Sequence, residues 1–112
     1  MSMWTYRAII IRVVDGDTVD VRIDLGFSVL HEARLRLLGI DAPEMLARDP
    51  AERERARAAT ARLSALLPVG AAVTVTTQKD RREKYGRYLA RIVAGETDVC
   101  ATLLAEGLVA AY

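Results

Sequence analysis

The chain has 112 residues, 52% of them hydrophobic and 28% charged, with a formal net charge of +1. That length suits one domain with its own core, and the balance excludes a disordered tail or a membrane span. The single cysteine, Cys100, excludes an internal disulfide and a cysteine-based zinc site, and with so little net charge any attraction for phosphate must come from where the arginines sit and from bound metal.

Residues 1–10 lack the basic start, apolar centre and small-residue cleavage site of a secretory signal, so the chain reads as cytoplasmic, or as secreted where a signal has been removed. Residues 5–14 are apolar and β-branched and stop at Asp15-Gly16-Asp17, a turn signal, which predicts a first strand. From Asp17 the pattern alternates, with Val19, Val21, Ile23 and Leu25 on one face and Thr18, Asp20, Arg22 and Asp24 on the other. A second, half-buried strand follows from this, and its two-residue period puts Asp17 on the apolar face, an unusual place for an acid without a partner. Residues 26–32 read as a looser connection carrying the only histidine, His31, and residues 33–40 as a third strand that completes an antiparallel meander.

Asp49-Pro50-Ala51-Glu52 then sets a capping acid before a proline at the first helical position, with a glutamate three residues after the cap. The predicted helix runs to about Leu67, with Ala56, Ala59, Leu63, Leu66 and Leu67 on one stripe, and Pro68 and Gly70 end it. Residues 72–77 form a predicted fourth strand with Val73 and Val75 inward. A polar and mostly basic stretch, residues 78–87, leads into a fifth strand from about residue 87 to residue 94. Thr97 or Asp98 caps a short helix that reaches Glu106 and stops at Gly107, and residues 108–112 are a brief apolar tail. Three strands, a helix, two strands and a short helix predict a mainly β, α+β domain spanning residues 1–112: a five-stranded Greek-key barrel of the OB type with two helices. That architecture supplies no function by itself.

The chemistry concentrates in Arg36-Leu37-Leu38-Gly39-Ile40-Asp41-Ala42-Pro43-Glu44. Pro43 has no backbone donor and pushes Ala42 toward extended geometry, so the chain leaves the sheet there with Asp41 and Glu44 close together. Asp17 and Asp41, carboxylates at strand ends, are candidates for a hard cation such as calcium or magnesium, which takes several oxygens and keeps water. Taken singly, each is as readily a turn aspartate. Asp15-Gly16-Asp17 fails as an EF-hand loop, lacking the glycine and glutamate required further along. Arg36 and Arg87 are candidates for gripping a phosphodiester, because a planar guanidinium matches two phosphate oxygens at once. Leu38 and Ile40 share the side of Arg36 in an unbroken third strand, whereas Arg34 and Arg91 read as solvated. Glu44 is a candidate general base. Tyr85, Tyr88 and Tyr112 are candidates for stacking on bases, or for simple packing. His31 and Cys100 take no role.

Taken jointly, Asp15-Gly16-Asp17-Thr18, the segment from Arg36 to Glu44, Lys84-Tyr85-Gly86-Arg87 and Glu106-Gly107-Leu108 resemble the staphylococcal nuclease (thermonuclease) family, in order and at family spacing. The resemblance implies calcium held by Asp17, Asp41 and the backbone carbonyl of Ala42, with Asp15 just outside. It also implies Glu44 as general base, Arg36 and Arg87 on the scissile phosphate, Lys84 and Tyr85 on a neighbouring phosphate, and Tyr112 near a tyrosine that flanks the base. The activity implied is a calcium-dependent endonuclease that cuts DNA and RNA with low sequence specificity and leaves 3′-phosphate ends. Its substrates would be single-stranded or frayed DNA and RNA, met by a monomer without a membrane partner. The alternative is a catalytically inactive module of the same fold that binds nucleic acid or protein; the presence of Asp17, Asp41, Glu44, Arg36 and Arg87 together favours the enzyme. Two positions depart from the family pattern: Ala42 stands where threonine is frequent, and Cys100 where an asparagine commonly anchors the last strand-to-helix connection.

Overall fold

The computed structural model describes residues 4–79 and 88–112. Its elements are β1 (Trp4–Asp15), β2 (Thr18–Asp24), β3 (Leu30–Leu37), β4 (Ile40–Asp41), α1 (Pro50–Leu66), β5 (Ala72–Lys79), β6 (Tyr88–Ala94), β7 (Thr97–Asp98), α2 (Val99–Ala105) and β8 (Ala110–Ala111). β1 pairs antiparallel with β2 on one side and β5 on the other, β2 continues to β3, and β5 to β6. A parallel pairing of β3 with β6, Leu35 opposite Tyr88 and Leu37 opposite Ala90, closes the barrel. Closure leaves the five long strands without a free edge along that seam. The predicted five-stranded barrel with two helices is the fold observed.

The period-two residues fill the barrel. Val19, Val21 and Ile23 from β2, Leu35 and Leu37 from β3, Val73 and Val75 from β5, and Ala90 and Ile92 from β6 are all buried in one cluster. α1 lays Ala56, Ala59 and Leu63 inward. Its start follows from its cap: Asp49 is extended and its carboxylate accepts from the N–H of Ala51 at 3.0 Å, with Pro50 in the first turn where a missing N–H is harmless. α2 begins in the same way, Asp98 accepting from Ala101 N–H at 3.2 Å, and buries Val99, Cys100 and Leu103. A two-pronged contact from Arg62 Nε and Nη2 to the Glu106 carboxylate, 2.8 and 3.0 Å, joins α1 to the end of α2.

The third strand departs from its predicted course. It starts at Leu30 and ends at Leu37, and Gly39, with φ 79°, turns the chain so that Ile40–Asp41 becomes the separate strand β4. Arg36 therefore does not share a continuous strand face with Ile40: Leu35 and Leu37 are the inward residues of β3, Arg36 points the other way, and the turn at Gly39 carries Ile40 into the core. The β2 alternation also stops one residue early. Leu25 lies at the start of a loop with Gly26, Phe27 and Ser28 all at positive φ, and it is 44% exposed rather than inward. The last residues are no loose tail, since β8 pairs with β4, Ile40 opposite Ala111 and Asp41 opposite Ala110. The predicted start of the fifth strand at Arg87 lies outside the described residues. Among the described residues no helix is long and apolar enough to cross a membrane.

Candidate active site

The site grows from the turn between β1 and β2. Register shifts between Ile10 and Arg12 and between Val13 and Asp15 add twist just before that turn. Gly16 then passes so close to its neighbours that an added Cβ would stand 2.8 Å from Ala42 Cβ and 2.9 Å from Ala59 Cβ. Glycine at this point, and alanine at the two facing points, let three parts of the chain meet: the turn, the segment after β4, and α1.

Meeting there, they fix Asp17. Its Oδ2 accepts from the Ala42 N–H at 3.0 Å, its Oδ1 from the Thr18 hydroxyl at 3.0 Å, and its backbone carbonyl from Leu37 N–H at 2.8 Å. The Asp17 N–H in turn donates to Asp15 Oδ1 at 3.1 Å. The acid whose inward position demanded a partner thus has several, and its side chain is only 14% exposed. Thr18, buried on β2 and opposite Arg36 on β3, is a contributor that pattern reading assigned to the polar face. Burial, reinforced by the neighbouring Asp17, raises the Asp15 carboxyl above the ordinary carboxylate range.

Arg36 reaches the same rim from the end of β3. One of its terminal nitrogens donates to Asp41 Oδ1 at 3.0 Å and lies 3.7 Å from Asp17 Oδ2. Its Cζ sits 5.0 Å from the centre of the Tyr112 ring. Glu44 follows on the loop after Pro43, exposed, and lines with Asp15, Asp17, Ala42, Pro43, Met45 and Leu46 a hollow of about 200 Å³. The structure therefore brings together Asp17, Asp41, Ala42, Arg36 and Tyr112, with Glu44 beside them. Lys84, Tyr85 and Arg87 lie outside the described residues. A second hollow, about 310 Å³ and lined among others by Trp4, Tyr6, His31 and Tyr88, opens at the far end of β2 and β3 and contains none of these acids.

Among the described residues no group of three or more His, Cys, Asp or Glu side chains is arranged to hold a metal. The oxygen donors present are the carboxylates of Asp17 and Asp41, with the carboxylates of Asp15 and Glu44 nearby and Arg36 as their cationic neighbour. An oxygen-only, charge-rich rim of this kind fits a hard cation that fills the rest of its shell with water, and does not fit a closed cage.

A family model described as staphylococcal nuclease homologue matches residues 34–112. The chain is also 30% identical over 93 residues to endonuclease YhcR of Bacillus subtilis (strain 168), an alignment covering 79% of this chain and 7% of that protein, so it corresponds to a small part of that relative's length. The match to the family model begins two residues ahead of Arg36 and runs through β4, both helices and the β8 strand that pairs beside the rim; the chain belongs to the staphylococcal nuclease homologue family.

Proposed function

We propose that this domain is a calcium-dependent endonuclease that hydrolyses phosphodiester bonds of DNA and RNA with low sequence specificity and leaves 3′-phosphate ends. The observation that carries the reading is the single Arg36 nitrogen shared by Asp41 at 3.0 Å and Asp17 at 3.7 Å, because it sets groups suited to a cation and a group suited to a phosphate on one rim. Asp17, Asp41 and the Ala42 carbonyl would hold the calcium, which when bound supplies positive charge against the phosphate and polarises water. Glu44, carboxylate exposed in the adjoining hollow, takes the proton of the attacking water. Arg36 exchanges its bond to Asp41 for oxygens of the scissile phosphate and, with Arg87, stabilises the charge that gathers on five-coordinate phosphorus as the 5′ oxygen departs. Lys84 and Tyr85 contact a neighbouring phosphate, and Tyr112 stands beside Arg36 on the same rim. A single or frayed strand suits a rim this small, since a stacked duplex keeps its backbone from bending into it. The domain acts on nucleic acid as a monomer and needs no membrane partner.

The test incubates denatured DNA and RNA with the protein in calcium and then in chelator. Cleavage that depends on calcium, leaves 3′-phosphates and falls by about 10²–10³ in Glu44→Ala and in Arg87→Ala is the expected result. Equal rates for both variants and the wild type would remove the assigned roles. Retention of a labelled strand without any cleavage would instead identify a binding module.

A further inference from the structure

We propose that Tyr112 is a positioning residue for Arg36, its ring serving as the platform that sets the plane of the guanidinium; the catalytic half of this proposal rests on the nuclease reading above. The Arg36 Cζ stands 5.0 Å from the Tyr112 ring centre, inside the reach of a cation–π contact. Neither partner is placed by chance. Tyr112 N–H donates to the Gly39 carbonyl at 3.0 Å, and Ala110–Ala111 pair with Ile40–Asp41, so the two-stranded unit that presents Asp41 also presents Tyr112. Just upstream, Val109 is buried in the core and Leu108 N–H bonds to Leu103 O at 3.1 Å, which anchors the approach to β8 at the end of α2.

Arg36 is thus held at a terminal nitrogen by the carboxylates of Asp41 and, at longer range, Asp17, and near its central carbon by the Tyr112 ring. The first contact is lost when the guanidinium turns to a phosphate, and the second need not be. A guanidinium grips phosphate through a planar fork, so a surface that keeps its tilt fixed while the carboxylate lets go maintains the aim of the fork. This differs from a tyrosine that meets a base, because the ring then acts on the reaction through another side chain rather than on substrate affinity.

The experiment compares Tyr112→Leu and Tyr112→Phe with the wild type. The ring is largely exposed and its strand is tied by backbone bonds, so both variants keep the fold, and thermal melting checks that they do. In the metal-free protein the Arg36 Nε–Hε signal, observed by NMR with isotope labelling, is expected to shift in Tyr112→Leu and to stay near its wild-type position in Tyr112→Phe. With single-stranded DNA, Tyr112→Leu is expected to lower kcat by about fivefold, the scale of one cation–π contact, at unchanged KM, with Tyr112→Phe restoring it. An unmoved Arg36 signal in Tyr112→Leu overturns the platform. A raised KM at constant kcat also overturns it, in favour of base contact. An inactive wild-type protein would defeat the nuclease reading instead, and the NMR comparison would still decide whether the ring holds Arg36.

Discussion

Replacing Gly16 by alanine tests whether the close meeting of turn, β4 exit and helix builds the site. The backbone at Gly16 is not in the left-handed region, so the substitution asks nothing of φ and everything of space. Contacts of 2.8 Å to Ala42 Cβ and 2.9 Å to Ala59 Cβ are shorter than side-chain carbons tolerate, and neither neighbour has a flexible end that can swing aside. The turn must therefore back away from α1 and from Ala42, stretching the 3.0 Å bond from Ala42 N–H to Asp17 Oδ2. Overpacking of this kind costs about 1–3 kcal/mol, which for a domain of this size corresponds to a melting point lower by about 4–15 °C. Circular-dichroism melts in chelator read the loss directly, and nuclease assays read the displaced Asp17. Pairing Gly16→Ala with Ala42→Gly frees one of the two contacts and should recover part of the loss, as coupled neighbours do. A variant that melts and cuts like the wild type, or a double variant no better than the single one, would refute the packing argument.

Calcium at about a hundredfold above its dissociation constant should stabilise the wild type by about 2.7 kcal/mol, and Asp41→Asn should erase most of that gain; a melting point indifferent to calcium would remove the cation from the site. Asp20 accepts from Arg34 at 2.8 and 3.2 Å and from Arg12 at 2.9 Å, and the Arg34 bond foremost holds its carboxyl below the usual range. A depressed folded pKa stabilises above the unfolded value and ceases to do so as pH falls through the folded one. Asp20→Asn should accordingly lose about 0.5–1 kcal/mol at pH 7, kept small by solvent around the two arginines, and match the wild type in acid denaturant melts below the carboxylate range. Burial, with Asp98 adding to it, pushes the Cys100 thiol up to about 11, so it should resist a thiol reagent at pH 8 until urea unfolds the chain; rapid labelling of the folded protein would contradict that burial.

Local pattern carried much of the fold. Period-two runs placed Val19, Val21, Val73 and Val75 inward, Asp49 with Pro50 marked the start of α1, and the pair Thr97 and Asp98 that of α2, where Asp98 is the cap, because capping and alternation depend on residues a few positions apart. Features that depend on distant parts of the chain were not legible. Gly39 does not announce its left-handed φ in the run Arg36 to Ile40, so the strand read as unbroken and Arg36 was credited with the company of Ile40. The pairing of β8 with β4 and the squeeze of Gly16 between Ala42 and Ala59 each join segments far apart in sequence. The site lay in between: an inward Asp17 signalled that a partner was needed, while the identity of its partners, the Ala42 amide, the Thr18 hydroxyl and the Arg36 guanidinium, emerged only when the turn and the β4 exit met.

The short β4–β8 ribbon has a further consequence for the order of events in folding. Asp41 gains its neighbouring strand from Ala110, far along the sequence, so that pairing requires a long loop to close and is not set by local contacts. Pairings between distant segments form more slowly than local ones, so the β4–β8 ribbon is expected to settle after the β1–β2 hairpin.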